Sequence, residues 1–245
     1  MTSPARERRS RRHRPWWRGG SSVRRWNSEV LGWAALGLGA ALLAGFALGS
    51  FVGPTWGTVA LWIALIVPVV FAFRRGVPRG LLAFRAVDLL YAVVLGSAVR
   101  LVQGWLAGPG PMPTYPTLDG SLPPLWWADE LLAGGVVAPV VEEFFFRGML
   151  LVALFTVVRR MLRRPASEGI LPAGVIAVVV TAGLFVLAHQ LVSPVTLDVA
   201  LSLSVLGLVT GSLVMFTGRI WPAVLVHVVY NLTGVGLTVL GTLLG

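Results

Sequence analysis

Apolar runs alternate with short polar stretches along almost the whole chain, at about 30–52, 56–73, 87–106, 129–158, 170–191, 198–217 and 220–243. Each run approaches or exceeds the roughly 20 apolar residues that carry a helix across a hydrocarbon core about 30 Å thick. The pattern predicts an all-α fold, a polytopic membrane helix bundle of about seven transmembrane helices. Arginine punctuates only some of the gaps: Arg74, Arg75, Arg79 and Arg85 in one, Arg159, Arg160, Arg163 and Arg164 in another, Arg219 in a third. With strict alternation, seven helices put all of these on the side of the N-terminus, and the positive-inside rule makes that side cytoplasmic. The proline-rich stretch from Gly108 to Trp127 ends in Pro123-Pro124-Leu125-Trp126-Trp127 and reads as an external loop with aromatic anchors at the interface.

Composition agrees. The 245 residues are 56% hydrophobic and 12% charged, with mean hydropathy +0.81. Ordinary soluble domains carry roughly 25% charged residues, so a soluble globular domain is excluded. The chain has no cysteine, which rules out disulfides, iron–sulfur clusters and thiolate metal ligands; any metal would rest on His, Asp or Glu. All 20 basic residues are arginine and the formal charge is +10, with nine arginines before Trp26. Ahead of an apolar helix this is a topology anchor that meets anionic headgroups, not a nucleic-acid arm. Residues 1–28 therefore read as a cytoplasmic arginine-rich tail and 29–245 as the polytopic membrane domain. Val30 to Val52 exceeds the roughly 7–15 residues of a signal-peptide core, which predicts an uncleaved first span in a multi-pass plasma-membrane protein with its N-terminus cytoplasmic. Gly32, Gly37, Gly39, Gly45 and Gly49 are expected at helix contacts, and no internal repeat supports a transporter built from duplicated halves.

A charge at the centre of a spanning helix costs about 2.5–3.5 kcal/mol, which makes intramembrane ionisable residues functional candidates. The fourth run holds Glu142, Glu143 and Arg147. Glu143 and Arg147 share a face and form a natural ion pair, whereas Glu142 lies about 100° round the helix and needs another partner. His189 follows Phe185 by four positions in the fifth run, and Asn231 follows His227 by four in the seventh. Each group alone is accounted for by a packing hydrogen bond. Together, each bearing its own burial cost, Glu142, His189, His227 and Asn231 are better explained by one shared site. Asp88 and Arg100 in the third run lie near its ends and are expected to reach the interface.

The ordered set E-E-x-x-x-R (Glu142, Glu143, Arg147), F-x-x-x-H (Phe185, His189) and H-x-x-x-N (His227, Asn231) resembles that of the CAAX protease and bacteriocin-processing (CPBP, or Abi) intramembrane proteases. The resemblance covers about 126–245. It implies peptide-bond hydrolysis at or within the bilayer, with Glu142 and His189 activating water, Glu143 paired to Arg147, Phe185 supporting, and His227 with Asn231 stabilising the oxyanion. Such chemistry needs a water pocket, a base and donors facing the developing negative charge. Zinc or another divalent metal held by Glu142, His189 and His227 is the rival mechanism. The chain lacks HExxH, and the metal-free reading with no cofactor is preferred. The expected partners are the lipid bilayer and a membrane-associated peptide or protein substrate, with no nucleic acid. Outside this class stand a polytopic transporter or proton-pathway protein and a non-catalytic immunity or scaffold protein on the same fold.

Overall fold

The computed structural model describes residues 15–18, 20–117, 120–162 and 168–244. His13, the tail arginines up to Arg14, and Arg163 and Arg164 lie outside the described residues. The described chain is helical, with no strand among the described residues. Helix α1 is Ser28–Phe51, α2 Pro54–Arg74 and α3 Val87–Ala107. Helix α4 is a continuous run in four parts, Trp127–Val137, Ala138–Glu143, Phe144–Leu150 and Leu151–Met161. It is followed by α5, Ile170–Val192, α6, Leu197–Thr217, and α7, Trp221–Leu244. All of these except α4 are long and apolar enough to cross a membrane, and the protein is multi-pass.

Local signals set several ends. The side chain of Asn27 accepts a hydrogen bond from the Val30 amide at 3.4 Å, capping α1. Gly53, at φ +140°, makes the sharp turn that Pro54 follows as the first residue of α2. The two helices then touch backbone to backbone: a Cβ on Gly57 would stand 2.6 Å from the Gly45 carbonyl oxygen and 2.7 Å from the Gly49 Cα. Gly57→Ala is expected to force them apart and cost about 1–3 kcal/mol, read as a lower melting temperature in detergent. Gly39→Ala, where a Cβ would meet nothing within 4 Å, should leave it unchanged. Equal behaviour of the two variants would contradict this contact.

The sequence predicts one regular helix over 129–158, and α4 departs from that. Trp127–Val137 and Phe144–Leu150 are π-wound, with i→i+5 hydrogen bonds, and flank the α-helical Ala138–Glu143. Pro139 explains the first departure, because it has no amide hydrogen and its ring crowds the carbonyl four residues earlier, so the preceding turns open. The second begins at the carboxylate pair. Beyond it α4 is central to the bundle: Phe145, Phe146, Arg147, Met149, Leu150, Leu151, Val152, Ala153 and Phe155 are all buried, as befits a helix enclosed on every side.

Two charges in the third span, expected to reach the interface, are held by partners within the protein. Asp88 is fully buried, accepts from the Arg85 amide at 2.9 Å and pairs with Arg219 at the α6–α7 turn. Arg100 lies 4.0 Å over the Tyr230 ring and donates to Gln103 and to the Tyr230 carbonyl. Both find partners inside the bundle because α7 packs along α3. The described end of the tail is likewise packed. Trp16 and Trp26 are fully buried, their indole nitrogens donating at 2.9 Å to the carbonyls of Gly218 and Gly76. Arg160 of α4 donates at 3.0 Å to the carbonyls of Val23 and Arg24. This segment clips the ends of α2 and α4 to the α6–α7 turn.

Candidate active site

Helices α4, α5 and α7 bring the motif residues together. Glu143 and Arg147, one turn apart, are both fully buried, with Arg147 Nη1 3.1 Å from Glu143 Oε1. The same oxygen takes a hydrogen bond from His227 Nδ1 at 3.0 Å. Glu143 therefore orients His227 besides neutralising Arg147, a contact across 84 positions that no local spacing announces. Arg147 also lies over the face of Phe185, 4.5 Å from its centroid, so that the ring meets part of a cation held away from water.

Glu142 finds the partner its sequence position requires. Its Oε2 is 3.9 Å from His189 Nε2 and 3.9 Å from His227 Nε2. These separations are too long for direct hydrogen bonds and suit one water between the three atoms. Both rings are fixed from behind. His189 Nδ1 meets the Phe185 carbonyl at 2.9 Å, and a carbonyl only accepts, so this nitrogen carries hydrogen. His227 Nδ1 likewise donates to the Glu143 carboxylate. Each Nε2 is thereby turned towards Glu142. Phe185 supports the pair, its ring 4.4 Å from that of His189 and 5.7 Å from that of His227.

Asn231 is placed differently. Its amide nitrogen donates to the Gly134 carbonyl at 2.9 Å, tying α7 to the first π-wound stretch of α4, and its second amide hydrogen is left for another acceptor. Gly134 escapes motif reading; the Gly134-Gly135 pair ahead of Pro139 was its only signal. Gly134, Glu142 and His189 all line a cavity of about 660 Å3, whose remaining walls come from α1, α2, α4 and the end of α5. His227, 2% exposed, faces Glu142 from behind that wall.

His189 lies three residues from the end of α5, whereas Glu142 lies fifteen from the start of α4. Counted from these two residues, α4 runs twelve residues further than α5 on this side. The three groups share one depth because α5 stops there.

Could the donors hold zinc? Ligand atoms about 2.0–2.1 Å from a tetrahedral centre stand about 3.3 Å apart, closer than the 3.9 Å separations seen here. No cluster of three His, Asp or Glu is set for a metal among the described residues. The spacing fits a hydrogen-bonded water better.

No curated protein and no solved structure matches the chain. Residues 124–233 match the family described as type II CAAX prenyl endopeptidase Rce1-like, a span that stops short of the expected 245 and still contains Glu142, Glu143, Arg147, Phe185, His189, His227 and Asn231. The segment that builds this constellation is thus the one that is similar to the Rce1-like family.

Proposed function

We propose that the protein is an intramembrane endopeptidase that hydrolyses a peptide bond of a membrane-associated substrate with a water activated by Glu142 and His189, without a metal. The observation that carries this reading is the Glu142 carboxylate standing 3.9 Å from two Nε2 atoms, each on a ring anchored at Nδ1. Charge counting adds to it. Glu142, Glu143 and Arg147 sum to one negative charge, so one further proton makes the cluster neutral, as a bilayer site demands. We assign that proton to His227, whose Nδ1–H already rests on Glu143; its Nε2–H then faces the reaction.

In this mechanism Glu142 takes a proton from the water as oxygen attacks the carbonyl carbon. His227 Nε2–H and the second amide hydrogen of Asn231 receive the oxyanion. His189 passes the proton from Glu142 to the leaving nitrogen, and the C–N bond breaks. Glu143 and Arg147 hold His227 in place throughout. The arginine distribution supports a cytoplasmic N-terminus in the plasma membrane, with residues 1–28 as tail and 29–245 as the protease domain.

Purified protein in liposomes, given quenched fluorescent peptides anchored in the same bilayer, is expected to cleave them, to keep its rate after exhaustive chelation, and to contain far less than one equivalent of zinc by elemental analysis. Stoichiometric zinc, lost with activity and restored with it, would overturn the metal-free mechanism. Absence of cleavage across sequence-diverse anchored peptides would overturn the protease reading itself.

A further inference from the structure

Resting on the protease reading, we propose that the cavity takes a membrane-inserted apolar peptide segment with a lysine- or arginine-bearing flank, selected by Asp129 and Glu130 at the rim. Seen from Glu142 and His189, the cavity runs between the α1–α2 hairpin and α4 to Ser50, Pro54, Asp129, Glu130 and Val192. These belong to the end of α1, the start of α2, the start of α4 and the end of α5, the ends remote from Arg74, Arg159, Arg160 and Arg219. The way in therefore lies on the arginine-poor side, over the short end of α5.

The walls fix the character of the occupant. Leu38, Leu42, Leu61, Trp62 and Leu65 face Ala133 and Ala138 across the space, so the body of the segment is apolar. About 660 Å3 lies within the range of small-ligand sites and admits a few residues of extended chain. At the mouth the character changes abruptly. Asp129 and Glu130 are adjacent, exposed and without an ion-pair partner among the described residues. Their field is felt nearby: the phenol of Tyr115, outside the spans, is pushed above its ordinary pKa first by burial and then by Glu130. Two like charges beside low-dielectric walls favour a cation at the rim. An acidic flank meets repulsion there, which gives discrimination between substrates of equal apolarity.

The test measures binding, so that it stands apart from turnover. Full-length protein in phosphatidylcholine nanodiscs is titrated with three dye-labelled peptides that share one Leu/Ala/Val tract and carry a Lys-Lys, Ser-Ser or Glu-Glu flank. The Lys-Lys peptide is expected to bind about tenfold more tightly than the Glu-Glu peptide, less so as salt is raised. The double variant Asp129→Asn/Glu130→Gln should bring all three within about twofold, and Asp129→Lys/Glu130→Lys should invert the order. Leu42→Trp, which fills the cavity from the α1 wall away from Asp129 and Glu130, should weaken all three alike. Equal binding of the three peptides to wild type, a preference kept in the neutral double variant, or no binding at all overturns the proposal. Charge-selective binding without cleavage would uphold this subsite and refute the protease reading.

Discussion

Glu142→Gln is expected to lower hydrolysis by about 10²–10⁴-fold, the range a positioned general base contributes, with the melting temperature within a degree or so of wild type. The separation of activity from stability follows from charge balance. Removing the Glu142 charge leaves Glu143 and Arg147 paired with each other, so neither the remaining carboxylate nor the guanidinium is left without its partner in the bilayer. Glutamine also keeps the shape of the side chain, which is only 15% exposed. Single-turnover kinetics with an anchored peptide, beside thermal unfolding in detergent, reads both quantities. A Glu142→Gln protein as active as wild type would falsify the general-base assignment.

Glu143→Gln should behave in the opposite sense. Arg147 is fully buried and Glu143 is its ion-pair partner, so neutralising Glu143 leaves an enclosed guanidinium without its contacting carboxylate and with only the more distant Glu142 to offset it, at a cost of about 3–5 kcal/mol. Lower expression and a falling melting temperature are the expected results. A second substitution separates stability from chemistry. Glu143→Leu with Arg147→Met replaces the ion pair by apolar groups of similar size and should recover most of the lost stability. It should not recover activity, because His227 Nδ1 then has no carboxylate to hold the ring. A fully active double variant would show that Glu143 has no part in positioning His227.

The contrast between these two adjacent glutamates shows how much of the site is written locally. The i,i+4 spacing of Glu143 and Arg147 dictates their pairing, and the same spacing puts Phe185 beneath His189. Span positions are equally legible, since hydrocarbon thickness fixes helix length and arginine marks one face. What local spacing does not contain is the third dimension. The bond from His227 to Glu143, the partnership of Asp88 with Arg219 and the seat of Asn231 on Gly134 all depend on which helices are neighbours. The π-wound turns of α4 were also out of reach, although Pro139 stood in the sequence as their cause. His189 stands two residues from the end of the 170–191 run and Glu142 thirteen from the start of the 129–158 run, so their offset is visible in the run lengths, whereas their meeting is not.

The two buried tryptophans of the N-terminal clip set an order on biogenesis. Trp16 and the Gly218 carbonyl that receives its indole hydrogen are 202 positions apart. At about 5–20 residues per second, the ribosome takes roughly 10–40 s to travel from one to the other. Until then the Trp16 indole hydrogen has no carbonyl to receive it, and the loop closed by this contact is long, with the entropy cost that implies. The clip is thus a seal that only a chain carrying the α6–α7 turn can set. A nascent or truncated protein lacking the α6–α7 turn presents exposed tryptophan at the membrane surface, the kind of apolar patch that chaperones and proteases recognise.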